Sequence, residues 1–307
     1  MKVLPEEDYH ASLQFIIKEG RTLEKMKAKH LLHGEREEEI IRALASYQNE
    51  DGGFGHGLEP DFRLPASSPL ATSVALQTLI HHDHLPSARI MIKEAIRYLE
   101  RSFHADRSGW YAVPPEVNDY PHAFWWTVHE NGMSWIDAHW GNPSAEIIGY
   151  LLRYKNMVTE LPIDELERIA LNHLMNLQTF ESEHEIYCYL RFFRLHPELR
   201  SPTIDEQLER AVKQQIRYDQ EAWKDYVPSP MKFIQHPGES LLGIPVEEIN
   251  KNLDFLADRL KESHCIEPTW EWNDYKEDWE KAKMEWSAIL TLEAIDQLRS
   301  YERIQKD

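Results

Sequence analysis

A short loop carries the first group of side chains that could do chemistry. It reads Asp51-Gly-Gly-Phe-Gly-His56-Gly-Leu-Glu59-Pro-Asp61 and interleaves glycines with ionisable groups. A partly buried carboxyl group can acquire a raised pKa and act as a general acid. We therefore predict His56, Glu59 and Asp61 as catalytic residues, with ion pairs or turn caps as their alternative role. Asp51 is expected to cap the following turn.

A second segment, residues 119–140, concentrates aromatic and ionisable side chains. It holds four tryptophans, three histidines and three carboxylates. Such aromatic faces could stabilise a carbocation or stack on sugar rings. A metal site and a packed loop are the two other interpretations. The predicted substrate-binding residues are His122, Trp125, Trp126, His129, Glu130, Trp135, Asp137, His139 and Trp140.

The metal interpretation depends on imidazole and carboxylate groups, which suit Zn²⁺ or Mn²⁺. The relevant residues are His129, Glu130, Asp137 and His139. Their spacing matches no specific metal motif. We therefore predict no cofactor, with a divalent metal as the alternative.

Aromatic and acidic residues also alternate in a third segment, residues 268–286. This pattern occurs in carbohydrate sites and in the caps that close helices. We predict that its tryptophans, Trp270, Trp272, Trp279 and Trp286, pack in the core.

Helical periodicity dominates the chain and must position these three segments. Apolar residues recur three and four positions apart, as on one face of a helix, and prolines or polar clusters separate the periodic stretches. No convincing strand and no linker-like stretch is present, so we predict one all-α domain over residues 1–307. The predicted helices are 9–29, 35–48, 68–79, 87–103, 144–154, 163–178, 184–195, 204–218, 246–262 and 279–303.

Composition limits the classes of partner. The formal net charge is −19, from 53 acidic and 34 basic residues, which disfavours binding to nucleic acid or to an anionic membrane. No run of 18 apolar residues predicts a transmembrane helix, and the acidic N-terminal residues do not resemble a signal peptide. The two cysteines, Cys188 and Cys265, form no spaced cluster. We predict a cytoplasmic protein that binds a small apolar or carbohydrate ligand.

The segment from Leu44 to Gly55 ends a predicted helix with Gln48 and two adjacent glycines, which permit positive φ. It resembles the repeat of the terpenoid cyclase and protein prenyltransferase superfamily, Leu-x3-Gln followed by Gly-x-Trp or Gly-Gly-Phe-Gly. A second Leu-x3-Gln ends at Gln178, and a degenerate copy begins at Leu99 and is followed by Gly109-Trp110. The resemblance implies an α/α toroid, a barrel of two concentric helix layers around a central cavity. An open helical solenoid is the alternative architecture.

The chain lacks the catalytic motifs of that superfamily. It contains no Asp-x-Asp-Asp, no Asp-Asp-x-x-Asp, and no Asp-x-Cys pair of the zinc-binding type. No catalytic residue is therefore carried over from the family. We expect Gln48 to have a structural role, with its amide bonded to free carbonyl or N–H groups at the ends of neighbouring helices.

Three functions remain open at this point. The first is an enzyme or binder for an isoprenoid or other apolar chain, with Glu59 or Asp61 as the acid. The second is an (α/α) barrel enzyme that acts on carbohydrate, with carboxylates and a histidine beside aromatic platforms. The third is a non-catalytic helical protein that binds a protein partner.

The two richest segments are expected to face one shared cavity. Polar groups gathered in a loop lose hydration without gain unless they pair with each other or with a ligand. We therefore expect Glu59 or Asp61 to lie within reach of His122, His129 or His139.

Overall fold

The computed structural model describes residues 1–34 and 36–305, and over these residues the protein is all-α. The β features of this part of the chain are isolated bridges between single residues. The all-α prediction is confirmed, and closure into a toroid stays a prediction. The α-helices are α1 (Glu6–Glu19), α2 (Thr22–His33), α3 (Glu37–Ala45), α4 (Pro69–Leu79), α5 (Pro86–Arg101), α6 (Gly141–Arg153), α7 (Ile163–Asn176), α8 (Glu183–Leu195), α9 (Pro202–Gln215), α10 (Pro230–Phe233), α11 (Val246–Ser263) and α12 (Lys276–Ser300).

Hydrophobic periodicity locates most of these helices to within a few residues. The exceptions are the short α10, which no predicted helix covers, and the stretch 9–29. The structure divides it into α1 and α2, because Gly20 and Arg21 both have extended backbone. A Cβ on Gly20 would lie 2.7 Å from the Ile16 carbonyl oxygen, so this close approach requires glycine. Arg21 then pairs with Glu24 in the first turn of α2, with Nε and Oε2 2.9 Å apart.

The chain divides into two compact units. Unit 1 comprises Met1–Ala43, Gln215–Glu271 and Lys276–Asp307, and unit 2 comprises Leu44–Gln214 and Trp272–Tyr275. The prediction of a single domain is not tested by this division and stays a prediction. In the described part of the chain, no helix is long and apolar enough to cross a membrane.

Unit 1 is built around α1, which packs against α2, α11 and α12. Leu13 and Ile16 of α1 are fully buried. Near the other end of the unit's sequence, the buried Arg303 donates from Nη1 to the Lys2 carbonyl oxygen at 2.6 Å and to Asp254 Oδ1 at 2.9 Å. These bonds tie both ends of the chain to α11.

Unit 2 is built around α6, which packs against α4, α7 and α8 and is buried from Gly141 to Leu151. Because no face of α6 meets water, its carboxylate needs donors from its neighbours. Glu146 accepts from Gln77 Nε2 at 2.9 Å, from the Tyr150 hydroxyl at 2.6 Å and from Arg191 Nη1 at 3.1 Å.

Cys188 completes this buried network, with its Sγ 3.6 Å from Glu146 Oε2. Burial and the neighbouring carboxylate raise the pKa of the Cys188 thiol well above its ordinary value. A buried thiol of this kind is a poor nucleophile. The network therefore serves the packing of α6 and α8.

Gln48 has the structural role expected of it. Its Nε2 donates to the Gly52 carbonyl oxygen at 3.0 Å and to the Met91 carbonyl oxygen of α5 at 3.2 Å. The second acceptor lies within a helix, whereas a helix end was the expected acceptor. Gln178, the corresponding residue of the second Leu-x3-Gln copy, is exposed and bonds its own turn at Asn176.

The chain uses a different glutamine at the end of α7. The buried Gln207 of α9 donates from Nε2 to the carbonyl oxygens of Leu174 and Leu177, at 2.8 and 2.9 Å. Leu174 lies in the last turn of α7 and Leu177 is its C-cap residue, a region where helix carbonyls lack the regular i+4 partner. The Leu174 carbonyl also accepts from Leu177 N at 3.3 Å. At the end of α7, the glutamine amide that bonds the backbone carbonyls thus comes from α9 and not from the Leu-x3-Gln copy that ends at Gln178.

We expect Gln48→Ala to lower the free energy of unfolding by about 1–2 kcal/mol, because two backbone carbonyls lose a donor. Urea denaturation followed by circular dichroism measures the change. The matched control is Gln178→Ala, which removes an exposed amide and should change stability by less than about 0.5 kcal/mol. Equal losses in the two variants would contradict a specific role for Gln48.

Candidate functional site

The loop around residues 49–56 is held by side-chain hydrogen bonds. The Asp51 carboxylate accepts from Gly53 N at 2.9 Å and from Ser67 Oγ at 2.7 Å, so Asp51 caps the turn as expected. His56 is exposed, and its Nε2 lies 2.8 Å from Asn49 Oδ1. Its φ of 54° is a left-handed conformation that histidine adopts infrequently. The predicted catalytic histidine is therefore bonded within its own loop.

Asp61 ties this loop to two other segments of unit 2. Its Oδ1 accepts from Trp272 Nε1 at 2.9 Å, and its backbone carbonyl accepts from Ala123 N at 2.8 Å. Asp61 and Trp272 are 5% and 4% exposed. Glu59 is also buried, and its Oε1 lies 3.4 Å from Asp61 N. Both predicted acids thus lie in the interior, where a carboxylate requires donors.

The loop also pairs directly with the aromatic segment. Phe62 and His122 form an isolated antiparallel bridge, and Arg63 N donates to the Pro121 carbonyl oxygen at 2.8 Å. The Arg63 guanidinium lies over the Trp272 ring, 5.9 Å from its centroid, within cation–π range. Residues 56–63 therefore adjoin both residues 119–140 and residues 272–275.

His122 is buried, and both of its ring nitrogens have partners. Nδ1 lies 2.6 Å from the Tyr120 carbonyl oxygen, and Nε2 lies 3.0 Å from Thr127 Oγ1. A carbonyl oxygen can only accept, so in the neutral imidazole Nδ1 carries the proton. Nε2 is then the acceptor for the Thr127 hydroxyl. Both ring nitrogens of His122 thus bond a backbone carbonyl and a hydroxyl, and the expected approach of Glu59 or Asp61 to a histidine, direct or through one water, stays a prediction.

The local sequence explains the first of these bonds. A proline disfavours helical backbone at the preceding residue because of steric clash. Tyr120 precedes Pro121 and is extended, with φ −126° and ψ 158°. Its carbonyl therefore lies beside the ring of His122, two residues on.

A tight turn produces the second bond. The 3₁₀ turn Phe124–Trp126 folds the chain back and returns Thr127 to the ring of His122. The Asn118 side chain then bonds both backbone groups of Val128, the residue after Thr127. Its Nδ2 donates to the Val128 carbonyl oxygen at 2.7 Å, and its Oδ1 accepts from Val128 N at 2.9 Å.

A cleft of about 350 Å³ opens beside the histidine–threonine pair. Phe124 and Tyr275, at its wall, are 47% and 43% exposed, so they present aromatic surface to solvent. Tyr275 has φ 54°, a conformation that is rare for a bulky residue and that clusters at functional sites. Its ring centroid lies 5.9 Å from that of His122. The cleft is lined by Asn118, His122, Phe124, Thr127, Asp274 and Tyr275.

All of these lining residues except His122 lie outside the predicted site, and the signal for them was weak. Phe124 and Thr127 lie within the aromatic segment but are not tryptophan, histidine or acidic. Asp274 and Tyr275 lie in the third segment, whose tryptophans were expected in the core. Trp272 is indeed buried, but the residues that follow it turn towards the cleft.

The neighbouring tryptophans belong partly to the core. Trp126 is buried and packs edge to face against Phe62, with ring centroids 5.3 Å apart. Its indole nitrogen is buried without a hydrogen-bond partner in the described residues. Trp125 is half-buried, and its ring lies 5.0 Å from that of Phe124. Trp125 thus supports a cleft residue, and Trp126 packs behind it.

His129, Glu130 and Trp135 lie on an exposed turn. Trp135 is 62% exposed, and its ring meets the His129 ring edge-on at 5.8 Å. His129 N donates to the Met133 carbonyl oxygen at 3.0 Å, which closes the turn. These three predicted binding residues do not line the cleft.

Asp137 is a buried structural residue. Its Oδ1 accepts from Ala112 N at 2.7 Å, and its Oδ2 accepts from Ser134 N at 2.8 Å and Ser134 Oγ at 2.7 Å. Both oxygens are therefore engaged by protein donors. Within residues 1–34 and 36–305, no group of three or more His, Cys, Asp or Glu side chains is arranged to hold a metal ion.

His139 and Trp140 lie at the start of α6, beside a second polar cluster. The Trp140 ring packs on His173, with centroids 4.8 Å apart. His173 Nδ1 lies 2.9 Å from the Tyr189 hydroxyl and 3.9 Å from Glu185 Oε1. Here, unlike at the cleft, an imidazole, a phenol and a carboxylate pack between helices.

The pKa values of this cluster are shifted by burial. Burial, and then the charge of Arg107, lower the pKa of His173 from 6.5 to about 4. Burial raises the pKa of Glu185, against the Gly141 backbone N–H that donates to it and the nearby His139 and Arg107. His173 is thus neutral near pH 7.

Comparisons with protein-family models, with curated proteins and with solved structures find no match for this chain. The resemblance of residues 44–55 to the terpenoid cyclase and prenyltransferase repeat therefore stays a prediction. Function must be inferred from the chemistry of the cleft and of the residues that hold it.

We expect Trp272→Phe to lower the free energy of unfolding by about 1–3 kcal/mol, because Asp61 loses a donor to a buried charged group. Urea denaturation measures the loss. Trp135→Phe is the control, since it alters an exposed indole and should cost less than about 0.5 kcal/mol. Unchanged stability of Trp272→Phe would show that Asp61 does not depend on this bond.

Acid should destabilise the protein partly through His173. Its pKa is near 6.5 in the unfolded chain and about 4 in the folded chain. Between these values the unfolded state binds more protons, so this contribution to stability is present above pH 6.5 and is lost as pH falls towards 4. Urea midpoints measured from pH 7 to 4 should fall less steeply for His173→Gln than for the wild type.

The control for this experiment is His10→Gln, because His10 is an exposed histidine of α1. The raised pKa of Glu185 acts in the opposite direction above pH 4.5 and is common to all three proteins. Identical slopes for the wild type and His173→Gln would contradict the lowered pKa of His173.

Proposed function

We propose that unit 2 binds a carbohydrate in the cleft beside His122 and Thr127. The observation that carries this proposal is the exposure of Phe124 and Tyr275 at a cleft that also contains Asn118, His122, Thr127 and Asp274. A sugar ring has an apolar C–H face that can pack on an aromatic ring, and hydroxyl groups that need hydrogen-bond partners. Binding sites of this kind combine apolar walls with a few placed polar groups.

Charge favours a neutral ligand over an anionic one. The chain carries a formal charge of −19, and Asp274 is the acidic residue of the cleft wall. A diphosphate or a sulfated sugar would be repelled by this field. A neutral saccharide would instead use Asp274 as a hydrogen-bond acceptor.

The isoprenoid alternative has less support from the described residues. An alkene is protonated most readily by a neutral carboxyl group in an apolar pocket. Asp61 instead accepts a hydrogen bond from Trp272, and the cleft has both polar and aromatic walls. We therefore prefer the carbohydrate, and the isoprenoid serves as the competing ligand in the test.

Calorimetric titration with neutral trisaccharides, namely maltotriose, cellotriose and chitotriose, tests this proposal against farnesyl diphosphate. We expect one trisaccharide to bind, and Tyr275→Ala to weaken it at least about tenfold, equivalent to 1.4 kcal/mol. Tyr226→Ala is the matched control, because Tyr226 is 50% exposed and lies in unit 1.

Two outcomes would overturn the proposal. One is saturable binding of farnesyl diphosphate with no response to any saccharide. The other is saccharide binding that Tyr275→Ala and Tyr226→Ala leave equally strong, since the aromatic wall of the cleft would then have no part in it.

A further inference from the structure

We infer that the cleft is catalytic, with Thr127 as nucleophile and His122 as its general base, and that it removes an acyl group from an esterified ligand. The inference uses the proposed function only to identify that ligand as an O-acylated saccharide. The chemistry itself rests on the contact between the threonine hydroxyl and the imidazole.

The direction of the hydrogen bonds is the first observation behind it. The Tyr120 carbonyl oxygen lies 2.6 Å from Nδ1 and Thr127 Oγ1 lies 3.0 Å from Nε2. Since the carbonyl fixes the proton on Nδ1, the lone pair of Nε2 points at the hydroxyl. This is the arrangement of an activated nucleophile: a base within hydrogen-bond reach, oriented by a third group.

The pair formed by His173 and Tyr189, also in unit 2, shows that a hydroxyl beside a histidine does not always donate its proton to the imidazole. The Tyr189 hydroxyl donates to the Ala170 carbonyl oxygen at 3.1 Å, so its oxygen accepts the proton of His173 Nδ1. That hydroxyl proton cannot pass to the histidine. In the cleft, by contrast, the threonine proton is directed at the imidazole.

The third observation is that the pair is both accessible and rigidly held. Thr127 is half-buried and lines the cleft. The histidine is fixed by its bridge to Phe62, and the chain after the threonine is clamped by Asn118. Nucleophile and base are thus positioned before any ligand arrives, which is what rapid catalysis requires.

Acyl transfer fits these residues better than glycoside hydrolysis. Glycosidases need a pair of carboxyl groups across the scissile bond, and Asp274 is the one carboxylate among the residues that line the cleft. Ester cleavage needs one hydroxyl and one imidazole. The imidazole takes the proton of the nucleophile and returns it to the leaving alcohol.

The reaction balances without any further cofactor. Thr127 Oγ1 attacks the ester carbon while its proton passes to His122 Nε2. The bond from the acyl carbon to the alcohol oxygen then breaks, and the alcohol leaves with that proton. Water attacks the acyl-threonine, His122 again holds the proton in transit, and the products are a carboxylic acid and the free threonine.

The test uses p-nitrophenyl acetate, which requires no recognition of a sugar. We expect release of p-nitrophenol and gain of one acetyl group on Thr127, located by peptide mass spectrometry. Thr127→Val and His122→Ala should each lower the rate at least about 100-fold, which is the usual contribution of a general base or nucleophile. Thr127→Ser should react faster than Thr127→Val, because it keeps a hydroxyl group.

Two controls separate chemistry from loss of structure. Thr203→Val alters an exposed threonine of α9 and should react as the wild type does. Added imidazole should restore part of the rate of folded His122→Ala, whereas a variant that is merely misfolded would not respond.

The acetylation test and the saccharide-binding test can fail separately. Acetylation of Thr127 without saccharide binding would leave this inference standing and refute the proposed function. Saccharide binding by the wild type without acetylation of Thr127 would do the reverse. Release of p-nitrophenol at an unchanged rate by Thr127→Val, or by His122→Ala, would also overturn the inference.

Discussion

The buried carboxylate of Asp61 is the contact on which the candidate site depends. It accepts the indole N–H of Trp272, which is 211 positions away in sequence, while the carbonyl of the same residue accepts the amide of Ala123. No local preference of the chain could bring these segments together. A buried carboxylate left without donors costs far more than one hydrogen bond contributes. That asymmetry makes the junction specific, and His122 and Tyr275 lie beside it.

Burial decides what the acidic residues of unit 2 do. Glu146 and Asp137 are inside, and each has several protein donors around its two oxygens. Their role is to satisfy backbone and side-chain groups that packing has removed from water. Asp274 is exposed at the wall of the cleft. The carboxylates of Glu146 and Asp137 are therefore structural, whereas that of Asp274 lies at the wall of the cleft.

The two histidines of unit 2 that face hydroxyl groups show the same dependence on position. His122 is turned into an acceptor because the carbonyl oxygen of Tyr120 holds its other proton. His173 remains a donor to Tyr189, and burial lowers its pKa to about 4. In both pairs an imidazole nitrogen lies about 3 Å from a hydroxyl oxygen. Only in the His122 pair is the hydroxyl proton directed at the imidazole. The difference comes from a neighbouring carbonyl group in each case.

The sequence by itself determined the all-α class, most helix positions and the structural role of Gln48, because helix periodicity and turn chemistry act over a few residues. That residues 119–140 contribute to a site stays a prediction. The sequence did not determine which side chains line the cleft: Thr127 lies beside His122, which is five residues before it, whereas Tyr275 comes from a segment far away in sequence. Such pairings depend on long-range packing and on burial, and neither is encoded in local spacing. Only the tertiary structure could therefore show that Thr127 lines the cleft and that the four tryptophans of residues 119–140 do not.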